Sequence, residues 1–328
     1  MLPNDSSQEP SSTEELEQPP REHWAGLPEF PRLSGPTMPA VGRQFFKHSP
    51  TTILKLGTDN GEGIMTALAY AILGPCVPRV ISIVTIPVTN PDAPALNHTS
   101  HGVVLSHQPG TPLVQLWPSL TAPQREAIKA ELCRLLVRMR SRRFCYYGRP
   151  TRESYRLFSE FGTEIHPCCA SRSEWDDSRV QALRKHAPSA ERAADLERVQ
   201  RGTVGAEDWD RPVLTHADLS DRNILVDPDT LAVTGFLDWE MANIAPAYFE
   251  YTMARLSGGH EPEWRKEVLD VLRAVLRSEC DADERRGDLG AESSDDRYSR
   301  TLAAWDAVVD VERFAQDYDD ACYWTFEH

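Results

Sequence analysis

The chain has 328 residues, of which 40% are hydrophobic and 26% are charged, so it has enough apolar material to bury the core of one or two globular domains. The formal net charge of −15 argues against a nucleic-acid-binding protein, which needs a basic surface, and against docking on an anionic membrane. The seven cysteines are scattered and odd in number, so we expect free thiols in the cytoplasm. The N-terminus lacks the basic and apolar runs of a secretory signal.

The N-terminal third divides into a tail and a small lobe. Residues 1–38 are rich in Pro, Ser and Glu and have little periodicity, which predicts a disordered tail. Residues 39–107 are predicted to form a β-rich N-lobe, with strands at 44–46, 51–56, 80–88 and 103–106 and a helix at 61–73. The apolar run 64–88 approaches the length of a membrane span, but the glycine and prolines in its middle predict a buried helix followed by a buried strand.

Residues 108–328 have the pattern of a larger, mostly helical C-lobe. Thr121 and Gln124 form a capping-box pattern, and apolar residues at helical spacing then predict a helix that reaches about Ser141. Further helices are predicted at 180–185, 190–200, 247–256, 263–279 and 298–323, with loops at 168–177 and 281–296. A β-rich lobe followed by a helical lobe belongs to the α+β fold class.

The most informative segment lies between residues 213 and 240. It places Asp218 five residues before Asn223, and Asp238 fifteen residues further on. Two β-rich runs on either side of an Asp-Pro turn predict a hairpin, which folds Asp238 back beside Asn223. Phosphoryl transfer from a magnesium nucleotide needs such a set, because one carboxylate accepts a hydroxyl proton while an amide oxygen and a second carboxylate hold the metal.

Two stretches of this segment carry a resemblance to a known family. They read His216-Ala-Asp218-Leu-Ser-Asp-Arg-Asn223-Ile-Leu and Leu237-Asp238-Trp-Glu240. This pattern resembles the catalytic core of the aminoglycoside phosphotransferase-like family, relatives of the protein kinases that phosphorylate small molecules. Ala217 replaces the glycine that is usual in the family. The resemblance is strongest over residues 213–240 and implies a protein-kinase-like fold of two lobes over roughly residues 40–325.

The resemblance implies a role for each of these side chains. The chain would move the γ-phosphate of ATP or GTP to a hydroxyl of a small molecule, with Mg²⁺ as the metal cofactor. Asp218 would be the base and His216 would brace the catalytic loop, while Asn223 and Asp238 would hold the metal. Glu240 has two open interpretations. It assists the metal or touches the substrate, or it forms a plain salt bridge.

On the nucleotide side, Lys55 fits the phosphate-binding lysine of the family, because it stands in an apolar strand before a small turn. Kinase-like enzymes pair this lysine with a glutamate of the next helix, and Glu62 is the acidic candidate there. The alternative for Lys55 is a strand-edge lysine that extends to solvent. The alternative for Glu62 is a charge that favours a helix N-terminus.

The resemblance also places the adenine against the link between the lobes, around Ser106 and Gln108, where backbone groups would meet its edge. Pro109-Gly110 follows the family pattern, whereas Ser106-His107 replaces an acidic–aromatic pair. Between about residues 40 and 50, Gly42 stands alone, so the expected turn over the phosphates is not glycine-rich.

Alternatives remain open for the acceptor and for the class of function. Some acidic residues of the C-terminal helices are candidates for contact with the acceptor: Glu250, Asp317, Asp319 and Asp320. They are most simply exposed helix charges, and the alternative is that they contact an amino group of a cationic acceptor.

A kinase-fold binding or scaffold protein without turnover is favoured by the missing glycine turn, but opposed by the intact set of catalytic residue types. A protein kinase is disfavoured because the chain lacks an Ala-Pro-Glu segment, and a metallohydrolase because the ten histidines are dispersed.

Overall fold

The computed structural model describes residues 18–34, 43–59, 61–88, 98–159, 162–202, 211–256, 262–287 and 293–318. The first part is an N-lobe built from one sheet and one helix. Its strands are β1 (Arg21–His23), β2 (Arg32–Ser34), β3 (Gln44–Lys47), β4 (Thr52–Leu56), β5 (Val80–Val88) and β6 (His98–Ser106), and its helix is α1 (Glu62–Leu73).

The N-lobe strands form a six-stranded sheet in the order β1-β5-β6-β4-β3-β2. β1 runs parallel to β5, and the other neighbours are antiparallel. Because side chains alternate along a strand, Leu54 and Leu56 enter an apolar cluster on one face, and Lys55 between them points to the opposite face. α1 packs on that opposite face, where Gly63 lies against Ile83. This alternation delivers Lys55 to the start of α1.

The C-lobe follows and is mostly helical. Its elements in chain order are β7 (Thr111–Pro112), α2 (Leu113–Leu116), α3 (Ala122–Ser141), β8 (Tyr155–Ser159), β9 (Gly162–His166), α4 (Arg172–His186), α5 (Ala190–Gly202), β10 (Pro212–Thr215), β11 (Ile224–Val226), β12 (Val233–Phe236), β13 (Asn243–Pro246), α6 (Phe249–Leu256), α7 (Pro262–Arg286) and α8 (Ser294–Ala315). Its strands form small sheets: β12-β11-β7, β10-β13 and β8-β9.

One large apolar core connects the two lobes. It contains Met65 and Leu68 of α1 together with residues of α3, α6, α7 and α8, such as Leu132, Tyr251 and Val308. Because α1 buries its apolar side chains in the same core as the C-lobe helices, the N-terminus of α1 has a defined position relative to the hairpin of β11 and β12. The predicted α+β fold class, with a β-rich N-lobe and a larger helical C-lobe, is confirmed.

Several local predictions can be compared with these elements. The buried helix and buried strand predicted within residues 64–88 are α1 and β5. Part of the segment predicted as a disordered tail is ordered, because β1 adds to β5 and β2 to β3, while Trp24 and Phe30 pack on the outer face of the sheet. The remainder of that segment, residues 1–17 and 35–38, lies outside the described residues.

Two predicted loops are largely helical. Residues 172–177 belong to α4, which has a polar first turn. The helix has an N-cap, because the hydroxyl of Ser171 accepts the N–H of Glu174. Residues 281–286 continue α7, where the charges of Asp283 and Arg286 pair one helical turn apart. In both segments the charged side chains belong to helices, and they range from buried Asp176 to exposed Arg286.

Two further features concern the helices and the cysteines of the described residues. None of their helices combines the length and the apolarity needed to cross a bilayer. Their cysteines are free thiols: Cys76, Cys133, Cys145, Cys168, Cys169 and Cys280.

Candidate active site

A hairpin organises the site, as the sequence predicted. β11 and β12 pair antiparallel, and the carboxylate of Asp227 accepts two backbone N–H groups of the turn between them. At the open end of the hairpin, the N–H of Leu237 donates to the carbonyl of Asn223 at 2.8 Å. Asn223 and Asp238 therefore lie at the same end of the hairpin, although fifteen residues separate them in the chain.

The loop between β10 and β11 is braced by a buried histidine. His216 accepts the backbone N–H of Asp218 at Nδ1, at 3.2 Å, and its Nε2 lies 2.8 Å from the carbonyl of Leu237. Since Nδ1 accepts, the proton belongs on Nε2, which donates to that carbonyl. His216 thus connects the loop to the hairpin, which fits the bracing role expected from the sequence. The carboxylate of Asp218 is half-buried and accepts the amide Nδ2 of Asn223 at 2.8 Å.

A second carboxylate supports the same loop through hydrogen bonds to its backbone. Glu250 is 2% exposed, and its carboxylate accepts the backbone N–H groups of His216, at 2.5 Å, and of Ala217, at 2.9 Å. Burial raises the pKa of Glu250 to about 7, even though both N–H groups favour the charged form. The sequence analysis assigned Glu250 to an exposed helix face, which is wrong. Apolar neighbours on every side of α6 are the signal that pointed to burial.

Ala217 adopts a backbone conformation that favours glycine. Its φ is 63°, in the left-handed region, and the family pattern has glycine at this position. An L-residue there costs about 1–2 kcal/mol. The two hydrogen bonds from the loop to Glu250 hold this conformation in place.

Lys55 lies at the centre of the charged part of the site. Its ammonium is 2.8 Å from Glu62 Oε1, 2.8 Å from Asp238 Oδ1 and 3.6 Å from Glu240 Oε2. Lys55 and Glu62 are almost fully buried, with exposed fractions of 3% and 1%. Burial opposes the charge on Lys55, but attraction by the three carboxylates outweighs it and raises the lysine pKa. The pairing of Lys55 with Glu62 is the one expected from kinase-like enzymes.

Three carboxylates form a group that fits a divalent cation. Oxygen atoms of Glu62, Asp238 and Glu240 all lie within 4.8 Å of one another. The second oxygen of Glu62 is buried without a hydrogen-bond partner among the described residues. Burial, and after it the carboxylate of Asp238, raise the pKa of Glu240. Mg²⁺ prefers such hard oxygen donors, so the residues present fit the metal that the family resemblance implies.

The predicted metal residues are distributed over two neighbouring groups. Asp238 and Glu240 lie in the carboxylate group, which Glu62 joins, whereas the amide nitrogen of Asn223 is hydrogen-bonded to Asp218. Glu240 also forms an ion pair with Arg43, so both interpretations of Glu240 keep a structural basis. Asp238 has φ 64° and ψ 67°, a left-handed conformation at the end of the hairpin.

Asp59 and Arg149, which the sequence analysis missed, tie α1 to the turn at residues 239–241. Asp59 Oδ1 accepts the N–H groups of Gly61 and Glu62, both at 2.7 Å, and so caps α1. The buried guanidinium of Arg149 donates to Asp59 Oδ2 at 2.7 Å and to the carbonyl of Glu240 at 2.5 Å. Burial disfavours the charge on Asp59, but Arg149 outweighs it and lowers the pKa of this carboxyl.

Gly61 makes room for this connection. A Cβ atom at Gly61 would overlap Nη1 of Arg149 and would lie 3.2 Å from its Cζ. A cavity of about 220 Å³ opens beside this contact, between the turn at Gly57 and the turn at Glu240. Nothing in the local sequence joins Asp59 to Arg149, which lies 90 residues further along the chain.

The link between the lobes is held by side chains from the predicted adenine segment. The hydroxyl of Ser106 accepts the N–H of Arg79 at 2.8 Å. The amide of Gln108 donates to the carbonyls of Pro75 and Thr234, so it connects the N-lobe to the hairpin. Both side chains have structural partners, and any contact they make with a nucleotide stays a prediction. Of the acidic residues predicted on the C-terminal helices, Asp317 is half-buried after α8, while Asp319 and Asp320 lie outside the described residues.

Comparison with known proteins places the chain in a family. A family model described as the phosphotransferase enzyme family matches residues 63–289, more than half of the chain. No curated protein matches it. Among solved structures, a thermostable mutant of aminoglycoside phosphotransferase APH(4)-Ia is 14% identical, with a TM-score of 0.47 over 88% of this chain and 86% of that one. An aminoglycoside-3′-phosphotransferase of type VIII is 18% identical, with a TM-score of 0.43 over 85% and 94% of the two chains.

A third solved structure, aminoglycoside phosphotransferase APH(3″)-Id from Streptomyces rimosus, is 17% identical, with a TM-score of 0.38 over 85% of this chain and 92% of that one. The match to the family model carries the assignment, since it covers α1 after its first residue, the hairpin and all of α7. The chain belongs to the phosphotransferase enzyme family, as the resemblance of its catalytic segment predicted.

Proposed function

We propose that this phosphotransferase moves the γ-phosphate of ATP or GTP, bound with Mg²⁺, to a hydroxyl group of a small molecule. The observation that carries the proposal is the meeting of two groups at one end of the hairpin. One is the Asp218–Asn223 pair, and the other is Asp238 with the buried pair of Lys55 and Glu62.

In this proposal Asp218 faces the acceptor. Its carboxylate is half-buried and stays within hydrogen-bond reach of Asn223, so it is oriented to accept the proton of a hydroxyl as the phosphate is transferred. The backbone around it is fixed from two sides, by His216 and by Glu250. Fixed groups need little reorganisation during the reaction, and positioning supplies much of the catalysis in phosphoryl transfer.

Lys55 would neutralise phosphate charge. In the described state its ammonium is shared between Glu62 and Asp238. A Mg²⁺ ion would be held by Asp238 and Glu240, with Asn223 at the same end of the hairpin, and it would neutralise the charge of the phosphates. If Asp238 bound the metal instead of Lys55, Glu62 would still orient the lysine ammonium, which would then be free to bind a phosphate oxygen.

The proposal also covers the chemical class of the acceptor and the cellular compartment. The net charge of −15 favours a cationic small molecule over an anionic macromolecule as partner. Free cysteines fit a reducing compartment, so we place the protein in the cytoplasm.

A thermal-shift titration tests the nucleotide site. A ligand that binds only the folded state raises the melting temperature. Mg-ATP or Mg-GTP is expected to raise the melting temperature of the wild type, and Asp238→Ala is expected to abolish that rise. The absence of any rise at millimolar nucleotide would count against the proposal and favour a binding protein without turnover.

A further inference from the structure

A pocket of about 540 Å³ lies at the junction of the two lobes, and two of its arginines contact Asp59. It is bounded by the start of α1 and by the turn that precedes β8. The side chains that matter are four arginines, with one carboxylate among them: Arg21, Arg149, Arg152, Arg156 and Glu153. Four guanidinium groups around one opening are unexpected in a chain whose net charge is −15.

Among the described residues, the arginines of this pocket outnumber the carboxylates around them. Arg149 and Arg156 share one carboxylate oxygen, Asp59 Oδ2, at 2.7 Å and 3.0 Å. Arg21 and Arg152 are exposed, and within the described ranges no carboxylate lies at ion-pair distance from either. Arg152 instead lies over the ring of Tyr146, 5.4 Å from its centroid. Like charges held together in this way gain from an added anion.

Donor groups also remain for a ligand. Arg149 is 2% exposed, and three acceptors, Asp59, Glu240 and Asn243, engage one N–H on each of its nitrogens. A guanidinium has five N–H groups, so two of them remain. Arg156 is 30% exposed, and its nearest approach to Asp59 is through Nε; its terminal nitrogens donate no hydrogen bond within the described part of the chain.

We propose that this pocket binds a small molecule through a phosphate group. Arginine forks approach from at least two directions, from the turn at residues 149–156 and from β1, and a tetrahedral dianion accepts hydrogen bonds from several directions at once. A single carboxylate offers acceptors in one plane and one negative charge. None of the proposed catalytic or metal-binding side chains lines this pocket, and the inference does not rest on the proposed function.

Calorimetric titration of inorganic phosphate into the full chain at constant ionic strength tests the proposal. Phosphate is expected to bind the wild type in the millimolar range or tighter. The double variant Arg21→Gln/Arg152→Gln is expected to bind it about tenfold or more weakly, because two charge-assisted contacts are lost. Both side chains are exposed, so the variant is expected to fold.

A matched control removes the same two charges elsewhere. Arg184 and Arg198 are 61% and 78% exposed on α4 and α5, away from the pocket, and Arg184→Gln/Arg198→Gln is expected to bind phosphate as the wild type does. Equal weakening in both double variants would mean a general charge effect and would overturn the site. Absence of phosphate binding to the wild type, or tighter binding of succinate than of phosphate, would overturn the ligand class.

Discussion

Gly61→Ala probes the contact between α1 and the turn at residues 239–241. The backbone at Gly61 has φ −93° and ψ −22°, which alanine adopts without strain. The new Cβ would nevertheless overlap Nη1 of Arg149, whose guanidinium is 2% exposed and bound to Asp59. The variant must therefore displace a buried charge.

The expected loss follows from those contacts. Removing one charge-assisted hydrogen bond costs about 1.5–3 kcal/mol, and leaving a buried charge without its partner costs about 3–5 kcal/mol. Alanine recovers about 0.4–1 kcal/mol because it restricts the unfolded chain. We expect Gly61→Ala to lower the free energy of unfolding by about 1–3 kcal/mol, if Arg149 moves and keeps part of its contacts.

Urea unfolding in a double-mutant cycle measures this loss and its cause. Gly26→Ala is the matched control, because no atom lies within 4 Å of a Cβ at that position, and its effect should stay within about 0.5 kcal/mol. In an Arg149→Met background the overlap with the guanidinium is gone, so Gly61→Ala should cost little. An equal loss in both backgrounds would refute the reasoning, since the cost would then not come from Arg149.

Two further predictions concern buried charges. Because the pKa of Glu250 is raised from 4.5 to about 7 in the folded protein, the folded state holds this proton more tightly than the unfolded chain does, and stability falls as pH rises between those values. Urea unfolding between about pH 5 and pH 8 should show a smaller loss of stability with rising pH in Glu250→Gln than in the wild type, whereas the exposed Glu263→Gln should behave as the wild type does. The same dependence of stability on pH in Glu250→Gln as in the wild type would contradict this prediction. Lys55→Met should destabilise the protein by about 3–5 kcal/mol, because Glu62 and Asp238 lose their shared cation, and the loss should shrink in a Glu62→Gln background. An unchanged loss in that background would show that the carboxylates are not its cause.

The sequence predicted those parts of the site that depend on short-range patterns. The hairpin between Asn223 and Asp238 follows from two β-rich runs around a turn, and both residues consequently meet at its open end. Lys55 and Glu62 are seven residues apart and lie on one strand and the next helix, so strand alternation and helix order bring them together.

Other parts of the site could not be read from local patterns. Arg149 and Asp59 meet across 90 residues, and no spacing rule connects an arginine of a C-lobe turn to the cap of α1. For Glu250, the apolar residues on all sides of α6 indicated burial, but the backbone N–H groups that its carboxylate accepts depend on tertiary packing. β1 and β2 have three residues each, too few for an alternation pattern, and they form because neighbouring strands offer free edges.

The most direct test of the proposed reaction is nucleoside diphosphate release in the presence of Mg²⁺, with a panel of hydroxylated small molecules that includes cationic ones. We expect at least one acceptor to accelerate release above the rate with water alone. Asp218→Asn should lower the accelerated rate by about 10²–10⁴-fold, because Asn keeps the shape of the side chain but cannot accept the proton. Accelerated release at the wild-type rate in Asp218→Asn, or no acceleration by any acceptor in the wild type, would contradict the account.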